Sequence, residues 1–475
     1  MVLVAFVGYF LMVLAIGILA TRFSSRGLRE FFLAGRRLNS FVVALSAVSS
    51  GRSAWLIIGV TGMAYVRGVS AIWAILGYTL VEFWMFLSLA PRLREWTARM
   101  DDITIPDFLA SRFHDRSHLL RWVSVTIIVL FMVTYIAAQF VGGGKAFSST
   151  FGMSMTAGVL LTAAIVLFYT LLGGFLAVSL TDVLQAVFML IGLVVLPVKA
   201  IVDLGGWHGL VQRLQEDAAW MLDPWAIGVG ALIGFLGIGL GSPGSPHILV
   251  RYMSIDNPRN LRISALWGTF WNIVMGIGAV LAGVAGRAYF PRVTMLPNRD
   301  VENLFPTLAQ EHLHPLLFGL TISAVLAAIM STADSMLLVA ASGVVRDIYQ
   351  KILCRGAAIA QDRLVRYSRW TVFVIVVLSV FLGFYARELV FWFVLFAWSG
   401  LGAAFGPIVI LGLFWPKTNR WGALAGMITG TVVTIVWNQT PVLKTQIYEL
   451  VPAFMLSTVA TVVVSLWTRS PAEDR

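Results

Sequence analysis

Runs of about 20 apolar residues follow one another along this chain with short polar breaks between them, and each run is long enough to cross a bilayer as a helix. Thirteen such runs lie near 2–20, 41–66, 71–90, 120–145, 155–173, 178–203, 226–247, 266–288, 315–345, 370–386, 389–413, 421–438 and 448–468. Little of the 475-residue chain is left for a soluble domain. Only 12% of residues are charged, against about 25% in soluble domains. The expected class is an all-α integral membrane protein. The first run, 2–20, lacks a basic leader and a small-residue cleavage site, so it reads as a retained span. The single Cys354 excludes an internal disulfide framework.

The net charge of +11 is mostly topological. With the N-terminus outside, 24 of the 34 basic residues fall in inside segments and nine in outside segments, leaving Arg52 within a span. That bias places the C-terminus in the cytoplasm, in a plasma (inner) membrane, and removes any reason to invoke nucleic acid.

The run Ile322–Ala341 is apolar except for one seam. Ala328, Ser331, Thr332 and Ser335 recur at offsets of three and four and share a face, with Asp334 at its border. A carboxylate inside a membrane costs about 2.5–3.5 kcal/mol on insertion scales and needs a partner or a cavity. Hydroxyls, helix carbonyls and a carboxylate converging in a dry place suit a small hard cation. Ser and Thr alone could equally back-bond to their own helix, so Asp334 is what favours ion or proton handling.

Two spans are interrupted, at Ser49-Ser-Gly-Arg-Ser-Ala-Trp55 and at Gly237-Ile-Gly-Leu-Gly-Ser-Pro-Gly-Ser-Pro-His247. Backbone groups freed at membrane depth must be satisfied by protein or line a cavity. Counted from the second span, the breaks open two successive five-helix units, 41–203 and 226–413, flanked by 1–40 and 421–475. That is the layout of an inverted-repeat transporter within a single transmembrane domain, and the competing reading is a pair of kinks.

Other polar residues sit inside spans. Asp182 is a second carboxylate able to meet the seam, or a cap after Gly173-Gly174. Arg52 either neutralises Asp334 or Glu82 or clamps an anionic solute group. Glu82 and Gln139 line a polar path or join helices. Trp55, Tyr78, Tyr135, Phe396 and Trp398 are candidate cavity walls, and His247, after the second break near the inner surface, is a gate or loop residue. The glycine patterns at 237–241 and 400–406 are spaced like phosphate loops but follow no strand, so close helix packing explains them better. No nucleophile–base pair or metal cluster marks an enzyme.

Several stretches together resemble the sodium/solute symporter family, and within it the sodium/proline branch. They include Phe32-Leu-Ala-Gly-Arg-Arg37, the Trp55 half-helix, Thr104-Ile-Pro-Asp-Phe108 and Gly143-Gly-Lys145. Tyr169-Thr-Leu-Leu-Gly-Gly-Phe-Leu-Ala-Val-Ser179 followed by Asp182 is the most specific. Pro246-His-Ile-Leu-Val-Arg251, Ala327-Ala-Ile-Met-Ser-Thr332 and Trp398-Ser-Gly-Leu-Gly-Ala-Ala-Phe-Gly-Pro407 complete the set.

The resemblance implies a LeuT-type fold with an extra N-terminal helix and symport driven by sodium, with no other cofactor. It implies a main sodium site at the carbonyls of Ser49, Arg52 and Ala328 with the hydroxyls of Ser331 and Thr332. It implies a second site, used by some members, at Asp182, Ser331, Asp334 and Ser335. Solute contacts are expected at Ser53, Trp55, Tyr78, Glu82, Tyr135, Gln139, Ser242, Phe396 and Trp398. Two departures stand out. Gly51 replaces an aspartate of the proline carriers, and Ile238 and Ser242 replace their aromatics in the second broken helix. Both argue against proline itself and leave an amino acid or another carboxylate as the expected solute. Proton coupling, or a solute sensor of the same fold, are the alternatives.

Overall fold

The structure, a computed structural model, describes residues 1–24, 27–356, 359–385 and 389–468. Arg26, Arg387, Arg469 and Arg475 of the charge count lie outside the described residues. The described chain is helical, with one isolated bridge between Leu38 and Ile255. In order, the helices that frame the site are α1 Val2–Ser24, α2 Ser40–Ala54, α3 Thr61–Arg67, α4 Ile72–Trp84, α5 Leu119–Phe151 and α6 Met155–Asp203. There follow α7 Val229–Gly237, α8 Pro246–Met253, α9 Leu261–Tyr289, α10 Pro315–Ser342, α11 Gln361–Tyr385, α12 Val390–Phe414, α13 Arg420–Gln439 and α14 Leu450–Trp467.

Ten described helical runs are long and apolar enough to cross a membrane, or eleven if α7 and α8, bent by 51°, form one span. One run, Ser40–Met100, has 61 residues and would stretch for about 90 Å if straight, far beyond a bilayer. It turns back at Gly68, whose φ of 64° is open to a residue without Cβ and whose Cβ position lies 2.3 Å from the Met221 carbonyl oxygen. Arg52 meets Glu82 and Trp55 meets Tyr78 across the fold, which makes the two arms antiparallel. From eleven, counting this run as two and the shorter Met155–Leu171 as one would give the expected thirteen. Within α6 the break falls at Gly174, φ 59°.

The seam helix α10 is the centre of the molecule. Every residue from Thr321 to Ser342 is buried, as befits a helix surrounded by others on all sides. Around it lie α1, where Tyr9 donates to Met330 Sδ, and α2, α5 and α6. The glycine-rich stretches pack as the sequence suggested. A Cβ on Gly244 would lie 2.6 Å from the Gly402 carbonyl oxygen, and one on Gly400 would meet the Phe131 ring at 2.2 Å. At Gly241 a Cβ would fall 1.8 Å from Trp398 Nε1, a ring held by its 2.8 Å bond to the Ile238 carbonyl. Gly241→Ala is therefore expected to lower the melting temperature in detergent, by an overpacking cost of about 1–3 kcal/mol.

Helix α5 carries an ionic cluster near each end, about 36 Å apart at 1.5 Å per residue. At one end Lys145 bonds Asp300 (2.7 Å) and Glu302 (2.5 Å), and Glu302 also accepts the Val390 and Phe391 N–H groups that begin α12. At the other end Arg121 joins Asp107 (2.6 Å) to Asp347. Asp107 lies in the first turn of the short helix Ile105–Arg112, which Thr104 caps by accepting the Asp107 N–H at 3.0 Å.

Beside that second cluster, burial pushes the Asp102 carboxyl up to about 6. The fold thus favours protonated Asp102, and the stability gained from protonation is lost as pH rises through that value. Asp102→Asn keeps an acceptor for Ser111, whose Oγ donates to the carboxylate at 2.6 Å. This variant is expected to melt above the parent near pH 7.5 by roughly 1 kcal/mol, with the gap closing as pH falls below about 5.

Candidate cation and solute site

The first break lies at Ser53, a buried residue at φ 50° and ψ −170°. A non-glycine residue held there is strained, and such strain collects at functional positions. The freed backbone is satisfied by side chains. The Ala54 N–H donates to Gln139 Oε1 at 3.0 Å, and the Trp55 N–H meets Ser53 Oγ at 3.1 Å. Gln139 is thus a ligand of the break rather than a simple helix–helix tie.

The seam of α10 faces this break. Ser331 Oγ reaches the carbonyls of Ser49 (3.2 Å) and Ala328 (3.1 Å), and Thr332 Oγ1 reaches those of Ser50 (2.9 Å) and Ala328 (3.2 Å). Five oxygens from two helices therefore converge, all fully buried, a donor set suited to a hard monovalent cation. The Arg52 carbonyl, expected among them, accepts the Trp55 N–H just before the helix unwinds, and the carbonyl that Thr332 meets is that of Ser50.

Asp182 is no cap. It lies two turns beyond Gly174 within α6, where Oδ2 accepts from Ser46 (2.6 Å), Ser50 (3.3 Å) and Arg251 (2.8 Å). Ser335 donates to the Ser331 carbonyl at 2.8 Å or to Asp334 Oδ1 at 3.1 Å. The residues expected of a second cation site are thus gathered, but with an arginine among them. The charge count that leaves Arg52 as the one basic residue within a span puts Arg251 among the inside charges, and the structure corrects it: both arginines are buried beside the breaks. Helix α8 restarts at Pro246 inside the protein, so Arg251, one turn past His247, is fully buried. Its position four residues after the break, on the same face as His247, was the one available signal.

Arg52 is paired with Glu82, not Asp334, and lies 3.7 Å over the Tyr78 ring. Glu82 also accepts from Ser242 (3.1 Å) and Asn272 (2.8 Å). The guanidinium is therefore tied into a buried network through Nη2, while its Nε has no hydrogen-bond partner among the described residues. The space at Gly51 is taken by Ile248 and Glu82, at 3.3 and 3.8 Å from a Cβ built there.

Three aromatic rings meet beside Ser53. Tyr135, His247 and Trp398 have centroids 6.3–6.5 Å apart, and the Tyr135 hydroxyl lies 3.3 Å from Ser53 Oγ. His247 is fully buried and belongs to this wall; it is not at the inner surface. Trp55 stacks on Phe391 at 5.8 Å. Phe396 does not share the wall: two residues before Trp398 on α12, it faces Phe131 at 5.8 Å. Trp55 Nε1, Gln139 Nε2 and both His247 nitrogens have no hydrogen-bond partner among the described residues. Toward the Lys444–Glu449 side, Ile238 and Leu395 line a cavity of about 600 Å³ together with Met63, Arg67, Phe235 and Tyr448.

Broken helices at depth, a buried oxygen cluster at the first break and an aromatic wall beside it define a multi-pass membrane carrier of the LeuT type. Residues 31–430 match the sodium:solute symporter family, and the chain belongs to it. Family members are symporters and not enzymes, and sodium and a solute are what they carry. The osmoregulated proline transporter OpuE of Bacillus subtilis (strain 168) is 40% identical over 468 residues, covering 98% of this chain and 94% of that one. The sodium/proline symporter of Staphylococcus aureus (strain JH9) is 38% identical over 479 residues, covering 98% and 92%. Among solved structures, a substrate-bound, outward-open Na+-coupled sialic acid symporter superposes with a TM-score of 0.81 at 16% identity, over 98% of this chain and 97% of that one. Mhp1, a nucleobase-cation-symport-1 family transporter, gives 0.58 at 14%, over 94% and 97%. At these identities the structures speak for the fold alone.

Proposed function

We propose that this protein imports a proline-like amino acid with sodium, binding the ion where Ser331 and Thr332 meet the carbonyls of the first broken helix. The observation that carries this reading is the set of hydroxyl–carbonyl contacts joining α10 to Ser49 and Ser50. A sodium ion there replaces weak O–H contacts with stronger ion–oxygen ones and ties the seam helix to the break. The two repeats, 41–203 and 226–413, then rock about the filled site, and inward loss of sodium releases them.

The solute lies against Tyr135, His247, Trp55 and Trp398, with a compact apolar ring on the aromatics. Its carboxylate is met by the unpartnered donors Gln139 Nε2 and Trp55 Nε1, since Arg52 is held by Glu82. The names of the two relatives support proline or a near analogue despite Gly51, Ile238 and Ser242. The N-terminus faces outward and the C-terminus the cytoplasm of the plasma membrane, so one positive charge entering gains about 2.3 kcal/mol per 100 mV.

The test is uptake of labelled proline, other amino acids and organic acids into proteoliposomes under a sodium gradient, a proton gradient, or neither. Sodium-dependent proline accumulation is expected. Accumulation driven by protons alone would overturn the sodium site, and sodium-driven uptake of another solute would overturn the substrate.

A further inference from the structure

The position of Arg251 bears on how many ions accompany each solute. Its Nη2 lies 2.8 Å from Asp182 Oδ2 and 2.5 Å from Ser50 Oγ, and also bonds Ser335 Oγ, while Nε bonds Ser46 at 2.7 Å. The same nitrogen thus touches one carboxylate and two hydroxyls, the oxygens that a second bound cation would use. Guanidinium does not deprotonate in proteins, so this charge is permanent. We propose that Arg251 is a tethered cation filling the Asp182–Ser335 site, so that the carrier moves one sodium per solute and Arg251 sets that ratio. The inference rests on the sodium-coupled reading above.

Charge accounting supports it. Two carboxyl groups, Asp182 and Asp334, and one guanidinium are fully buried around the seam. Asp182 is the carboxylate that Arg251 meets. Asp334 keeps Oδ2 without a partner among the described residues, on the helix turn that carries Ser331 and Thr332. With Asp182 already matched by Arg251, a second monovalent cation beside the guanidinium would add positive charge in a dry interior, where an unpaired ion is costly. Asp182 Oδ1 and Gln185 Oε1 also lack partners among the described residues, so oxygens remain for an ion once the guanidinium is gone.

The experiment measures radiosodium bound per purified full-length protein, and the sodium-to-proline flux ratio in proteoliposomes. Wild type is expected to bind one sodium and to show a sodium Hill coefficient of about 1. Arg251→Gln is expected to acquire a second sodium and a coefficient approaching about 2, and Arg251→Gln with Asp182→Asn to lose it again. Two sodium ions per wild-type chain would overturn the proposal while leaving sodium coupling intact. So would a folded Arg251→Gln protein that still binds one. Should that variant not fold, the wild-type ratio decides alone. No saturable sodium binding in wild type would overturn both the proposal and the sodium-coupled reading beneath it.

Discussion

Sodium-driven uptake by the Ser331→Ala, Thr332→Ala double variant is expected to fall by about 100-fold or more at fixed sodium, through a loss of apparent sodium affinity. Each hydroxyl faces a carbonyl of the first broken helix and the Ala328 carbonyl, so the pair supplies two of five converging oxygens. Bonds to a charged partner are each worth about 1.5–3 kcal/mol, and 1.4 kcal/mol is a tenfold change, so losing two reaches or exceeds that figure. Fold stability should change less. The hydroxyls bond in part to their own helix, a local arrangement that alanine replaces readily, and alanine is the better helix former. The checks are a sodium titration of initial uptake rates and a melting curve without sodium. Unchanged sodium dependence in a folded double variant would contradict the site. Replacing Ser50, by contrast, reports on Arg251 and the seam together, because its hydroxyl bonds both Arg251 and the Ser331 carbonyl.

The seam was legible because chemistry and periodicity agreed. A carboxylate and hydroxyls at offsets of three and four in an apolar run leave few explanations, and the resemblance placed its ion site on the same face. The breaks were legible for a related reason, since glycine, serine and proline clusters at membrane depth have a known cost. What escaped was register within the breaks. The string Ser49-Ser-Gly-Arg-Ser53 does not say at which residue the helix unwinds, so it does not say whether the seam meets the Ser50 carbonyl or that of Arg52, two residues on. Arg251 escaped because arginines near span ends ordinarily reach for water, and only the re-entry of α8 into the protein shows that this one cannot. Phe396 could have been set aside from spacing alone, because residues two apart on a helix point to opposite sides.

The largest effect on stability is expected at the Arg52–Glu82 pair. Glu82→Gln keeps the shape of the side chain but leaves the Arg52 guanidinium, 1% exposed, without its counter-charge. Breaking a buried pair by removing one partner costs about 3–5 kcal/mol, because the other charge stays desolvated. Several bonds are lost or weakened with it, since Ser242, Asn272 and Arg52 all donate to this one carboxylate and each donates best to an anion. The Tyr78 ring beneath Arg52 offsets only part of the loss, a cation–π contact being worth about 2 kcal/mol when desolvated. The pair also holds the unwound segment of α2 against α4, so a lowered melting temperature should come with impaired uptake. The discriminating control is the double variant Arg52→Met, Glu82→Met. Removing both charges removes the desolvation penalty along with the attraction, so it should recover much of the melting temperature lost in Glu82→Gln. Recovered stability with uptake still lost would mean that the ion pair positions the break for transport. Recovery of both would reduce it to packing. A Glu82→Gln protein that melts with wild type would mean that the Arg52 charge is compensated by another group.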